Sequence, residues 1–117
     1  MLRQEGLFTY EICENDLVIT LEGEIDHHSA VSVRKDIDEL IFDLRPKRVI
    51  LNLSSISFMD SSGLGLIMGR YSLVKELGGS LLLQSPSVAV MKILSLAGMD
   101  KMIKIEASSK EDKNNEE

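Results

Sequence analysis

Two adjacent hydroxyls, Ser61 and Ser62, stand between an aspartate and two glycines in Asp60-Ser61-Ser62-Gly63-Leu64-Gly65, where an apolar strand gives way to helical spacing. A helix N-terminus carries free N–H groups and a partial positive charge. A serine there can cap the helix, hold a phosphate group, or receive one. Hydrolytic chemistry is a further candidate, because Ser61 or Ser62 with His27 or His28 and Asp26 or Asp60 has the residue types of a catalytic triad. The stretch lacks the leading glycine of a Gly-x-Ser-x-Gly elbow, since Met59 occupies that place.

The other chemistries fare similarly. A Walker loop needs Gly-x-x-x-x-Gly-Lys-[Ser/Thr]; here Lys75 comes too late to reach a phosphate and Asp60 would repel one. A metal site from Asp26, His27 and His28 is disfavoured because adjacent helical side chains point roughly 100° apart. Phosphorylation remains. A hydroxyl at a helix start among small residues is open to a kinase, and phosphate adds about −1.5 to −2 charges. The residues themselves leave Ser61 open between helix cap and phospho-acceptor.

The elements that position these residues follow from periodicity. Leu7 to Cys13 and Leu17 to Glu22 alternate, with Phe8, Tyr10 and Ile12 on one face and Leu17, Ile19 and Leu21 on another; Glu14-Asn15-Asp16 between them predicts a hairpin turn. From His27 to Leu44 the spacing becomes helical, with Ala30, Val33, Ile37, Leu40, Ile41 and Leu44 on the apolar side, Asp26 as cap and Pro46 as stop. Arg48 to Leu53 is a nearly continuous apolar run, as in a strand covered on both faces. A second helix is predicted from Ser61 to about Leu77, with Leu64, Ile67, Met68, Tyr71 and Val74 buried and Gly78-Gly79 ending it. Ser80 to Gln84 reads as a strand. Ser85-Pro86 reads as cap and first residue of a third helix ending at Gly98, and Lys101 to Ile105 as a short last strand. The class is α/β, with a mostly parallel mixed sheet of about five strands, three to four helices and the order β-β-α-β-α-β-α-β.

Composition bounds the function. The 117 residues fit one domain, spanning 1–117 with a core of about 7–105 and a polar tail or short terminal helix at 106–117. A net charge of −6 and the absence of tryptophan argue against nucleic acid as a direct partner. A single cysteine, Cys13, permits no internal disulfide and suits a reducing, cytoplasmic setting. No apolar run approaches the ~18 residues of a membrane span.

Ser57-Phe58-Met59-Asp60-Ser61-Ser62-Gly63-Leu64-Gly65, with Leu66 to Tyr71 behind it, resembles the signature of the STAS domain of anti-sigma factor antagonists. Gly23-Glu24-Ile25-Asp26-His27-His28 is similar to a second signature of that family, and its His-His pair is that of the sporulation branch. The resemblance runs from about Leu7 to Ile105; the short tail departs from it. It implies a STAS-domain fold and a regulatory module that is not an enzyme and needs no cofactor. It further implies an unphosphorylated form that binds an anti-sigma factor and serine kinase of the sporulation protein AB type, in its ADP- or ATP-bound state. That binding frees the sporulation sigma-F factor. Ser61 is then the phosphorylation site, and a PP2C-type phosphatase of the sporulation protein E type resets it. Asp26, Met59, Asp60, Ser62, Gly63 and Leu64 would form the partner-binding surface, with Asp26 meeting a basic group on the kinase and Gly63 and Gly65 admitting partner backbone. Helix–sheet packing is the other reading for Gly63 and Gly65, and for Gly65 with Gly69, four residues apart. A general stress-response antagonist, or a small nucleotide-binding STAS module, is the alternative.

Overall fold

A computed structural model of the chain describes residues 7–107. Phe8–Cys13 (β1) and Asp16–Ile25 (β2) form the antiparallel hairpin, with Glu14 at φ 60 in its two-residue turn. His27–Leu44 (α1) leads to Arg48–Met59 (β3), Ser61–Glu76 (α2), Ser80–Gln84 (β4), Val88–Leu96 (α3) and Ile105–Glu106 (β5). The five strands lie in sequence order, and every pairing after the hairpin is parallel. Right-handed crossovers between successive neighbours put each helix on the same side. One apolar cluster joins Leu17, Ile19, Leu51 and Leu83 of the sheet to Val33 and Ile37 of α1, Ile67 of α2 and Leu94 of α3. Ile50 and Leu82 alternate to the opposite face and are buried too, which accounts for the unbroken apolar run in β3.

Strand lengths depart most from the periodicity, and the departure matters for the site. β2 continues past Glu22 to Ile25, and β3 runs on past Leu53 to Met59. The register shifts twice over this extension, between Thr20 and Glu22 and between Gly23 and Glu24, with Gly23 at φ 81. Leu53, Ile56 and Met59 are the buried residues of the β3 extension, three apart. Bulges have replaced the period of two, so alternation could not mark this part as strand.

Other boundaries shift for local reasons. Ser85 is not the cap of α3: it takes φ 56, and its N–H donates to Glu106 O at 2.8 Å. Ser87 caps instead, accepting from Val90 N–H at 3.2 Å, so Pro86 precedes the cap. The predicted strand Lys101 to Ile105 is mostly a tight turn. Met99–Lys101 is 3-10 helix, Ile103 N–H donates to Met99 O at 2.9 Å, and only Ile105–Glu106 pairs with β4. Leu44, placed on the core stripe of α1, is exposed in its last turn. In α2 the buried residues are Gly63, Leu66, Ile67, Arg70 and Val74, while Leu64, Met68 and Tyr71 are half-buried. α2 packs against α1 as well as the sheet, and this second neighbour draws Leu66 and Arg70 inward. The stretch 108–117 of the tail lies outside the described residues.

Candidate functional site

Ile25 at the end of β2 pairs with Met59 at the end of β3, so the next residue of each strand, Asp26 and Asp60, starts a helix on the same edge of the sheet. Asp60 N–H donates to Ile25 O at 3.3 Å, tying the two junctions together. Each aspartate is an N-cap. Ser29 N–H donates to Asp26 Oδ1 at 2.9 Å, and Asp26 N–H donates back to Ser29 Oγ at 3.0 Å, closing a capping box. Ser62 N–H donates to Asp60 Oδ1 at 2.8 Å, and Gly63 N–H to Asp60 O at 2.9 Å. The Ser29 N–H, aided by its hydroxyl, holds the Asp26 carboxyl below its ordinary pKa, against a smaller opposing effect of burial.

This geometry removes one of the two readings of Ser61. Asp60 does the capping, and Ser61 is the first helical residue, exposed, with no side-chain hydrogen bond among the described residues. Its hydroxyl stands at the positive end of α2, next in sequence to Asp60 and at the same end of the sheet as Asp26. That arrangement can receive a phosphoryl group, and it would concentrate negative charge on one small patch once it had.

The residues expected around Ser61 are brought together, but not all at the surface. Ser62, Asp60 and Leu64 are half-buried, and Asp26 is partly exposed at the same edge. Met59 is a correction: it is 4% exposed and belongs to the core, as the alternate position of a strand end whose outward side chain is Phe58, 51% exposed. Phe58 is therefore the apolar residue that the sequence reading passed over. Gly63 takes the packing reading. It is buried, and a Cβ there would run into Met59 Cγ and Sδ, so it serves the packing of α2 on β3 rather than the approach of another protein. Gly65 and Gly69 reverse the packing expectation, since a Cβ on either would meet nothing within 4 Å. They line a groove of about 300 Å³ between α1 and α2, with His27 and Arg34 on one side and Ser62 and Arg70 on the other.

His27 and His28 are exposed at the start of α1, and neither hydrogen-bonds to Ser61 or Ser62 among the described residues. Lys75 lies at the far end of α2, its Nζ 5.5 Å from the Tyr71 ring centroid. Among the described residues no three His, Cys, Asp or Glu side chains gather as metal ligands, and no helix is long and apolar enough to cross a membrane.

Comparison with known proteins points one way. The family model described as the STAS domain matches residues 8–112. The anti-sigma F factor antagonist of Paenibacillus polymyxa is 38% identical over 89 residues, 76% of each chain. The anti-sigma-B factor antagonist of Bacillus subtilis is 35% identical over 96 residues, covering 82% of this chain and 86% of its own. The solved anti-sigma factor antagonist SpoIIAA in its unphosphorylated form is similar with a TM-score of 0.75 and 33% identity, covering 92% of this chain and 94% of that one. SpoIIAA from Bacillus in its phosphorylated form matches at a TM-score of 0.68 and 32% identity, over 94% of this chain and 99% of that one.

Proposed function

This chain belongs to the STAS domain family, and we propose that it acts there as an anti-sigma factor antagonist whose binding face is switched by phosphate on Ser61. The observation that carries this is the exposed hydroxyl of Ser61, first residue of α2 directly after the cap Asp60, at the end of the sheet where Asp26 caps the neighbouring helix. In the unphosphorylated state the patch binds an anti-sigma factor that is also a serine kinase, and the sigma factor held by that partner is released. The kinase transfers the γ-phosphoryl group of ATP to Ser61 Oγ; the hydroxyl proton passes to the kinase and ADP leaves. The resulting dianion stands next to Asp60 and Asp26, and docking would have to strip water from all of them, so the complex separates. A PP2C-type phosphatase restores the hydroxyl. No refolding is required, because Ser61 is exposed and its side chain makes no hydrogen bond among the described residues.

The His27-His28 pair and the likeness to the Paenibacillus polymyxa protein support a sporulation sigma-F pathway. A general stress-response role is the second reading, favoured by the likeness to the Bacillus subtilis anti-sigma-B factor antagonist. The test is a phosphorylation assay of wild type and Ser61→Ala with the cognate kinase and ATP, with the phosphate located by mass spectrometry. Phosphate on Ser61 in the wild type and none in the variant is the expected result; phosphate on Ser62 with Ser61 untouched overturns it.

A further inference from the structure

The groove between α1 and α2 opens beside Ser61 but plays no part in the phosphate switch. Ser62 lines it near the N-terminus of α2, and Gly65 and Gly69 continue along the helix. Because these glycines lack side chains and a Cβ on either would touch nothing, the groove exists only where the sequence leaves the α2 surface bare. Exposed Val31 gives the α1 side an apolar wall. Two arginines, Arg34 and Arg70, line it in a chain whose net charge is −6, with Asp38 paired to Arg70.

Arg70 is the decisive residue. It is 6% exposed, and its Nε lies 2.8 Å from Asp38 Oδ1 without the alignment of a hydrogen bond. Among the described residues it also donates from an Nη to Leu66 O, at 3.3 Å. Burial lowers the basicity of this guanidinium, Asp38 opposes that, and the like charge of Arg34 adds to it. Asp38 already offsets one of the two facing guanidiniums; Arg34, on the other side of the open groove, has no ion pair among the described residues, and an added anion would offset it.

We infer that this groove, through Arg34 and Arg70 above the bare backbone of Gly65 and Gly69, receives an acidic side chain from the same protein partner that covers Ser61. A protein segment fits better than a free anion, since the site pairs cationic groups with the apolar Val31 and runs on from the Ser61 patch through Ser62. The Asp26 and Asp60 carboxylates lie at one end and the arginines further along, so the partner must present a basic group and then an acidic one. Such an alternation fixes docking in one register and disfavours its reverse.

The inference rests on the anti-sigma factor reading, and calorimetry can separate the two. The ADP-bound anti-sigma partner is titrated into wild type, Gly69→Leu, Arg34→Glu and Ser61→Glu. Gly69→Leu fills the groove at a position with room for it, and Arg34 is exposed, so both should keep the wild-type circular dichroism spectrum. At least tenfold weaker binding by both, with wild-type affinity in the expected range, supports the proposal. Binding within twofold of wild type for both, while Ser61→Glu is impaired, overturns the groove and leaves the switch standing. Absence of wild-type binding removes both. Inorganic phosphate that shifts the Arg70 Nε–H resonance, with partner binding unaffected by the two groove variants, would make the groove a small-anion site instead. A Gly69→Leu effect seen only as a change in self-association by sedimentation would assign it to a second copy of this chain, and equally overturn the proposal.

Discussion

Asp26 and Asp60 cap neighbouring helices from the ends of two adjacent parallel strands, and the N–H of Asp60 bonds to the carbonyl of Ile25, the residue before Asp26. The two helix N-termini therefore open on one edge of the sheet. Ligands of open parallel sheets gather at such carboxyl ends of strands, for the same geometric reason. Here that end of the sheet presents the Ser61 hydroxyl, the Asp26 and Asp60 carboxylates and the exposed ring of Phe58.

Ser61→Asp should weaken binding to the ADP-bound anti-sigma factor at least tenfold, equivalent to about 1.4 kcal/mol. The new carboxylate stands in the same patch as Asp60 and Asp26, so docking must desolvate one more like charge. Ser61 is exposed and unengaged, so thermal unfolding should stay close to wild type. Equal affinity by calorimetry would contradict charge exclusion.

Asp26→Asn should keep the helix cap and lose the charge. Its amide oxygen can still accept the Ser29 N–H, so the urea midpoint at pH 7 should fall only by the part that depends on the charge, while partner binding weakens. Asp26→Ala, without an acceptor, should lower the midpoint visibly. The pH dependence has a definite sign. The folded-state pKa of Asp26 lies below its ordinary 3.8, so its stabilising effect is full above that value and is lost as pH falls through the folded pKa. The acid limb of the stability curve below about pH 4 should therefore be flatter in Asp26→Asn.

Gly63→Ala should destabilise the fold by about 1–3 kcal/mol, because the added methyl must displace Met59 inside the core. In a Met59→Ala background the same change should cost much less, and a double-mutant cycle in urea measures the difference. Gly65→Ala, with nothing near its Cβ, should instead stabilise by up to about 1 kcal/mol through helix propensity. Equal effects at positions 63 and 65 would refute the packing assignment.

Asp38→Ala should cost about 2 kcal/mol, below the range for a fully buried pair because the Asp38 side chain is 29% exposed. It leaves the Arg70 guanidinium buried without its counter-charge. Adding Arg70→Met should restore most of the loss, since an apolar side chain needs no partner there. If the double variant is less stable than Asp38→Ala, the pair is a net stabiliser rather than a compensated cost.

The serine-aspartate pattern, the order of strands and helices, the cap at Asp26 and the limits of α1 were legible in the sequence by itself. These features depend on nearest neighbours in the chain: a capping aspartate, a helical period, a glycine pair after a helix. The STAS resemblance was legible for the same reason, because it is carried by contiguous residues. What only the tertiary structure decided is which of those residues face outward. Met59 and Phe58 differ by one position, and the bulged pairing of β3 with β2 turned Met59 into the core and Phe58 to solvent. Asp60 rather than Ser61 became the cap, because the strand reaches as far as Met59 and α2 starts with Ser61. Arg70, polar by composition, was drawn inward by α1 and Asp38, contacts far away in sequence. Local chemistry names the groups, and long-range packing determines which of them another protein can touch.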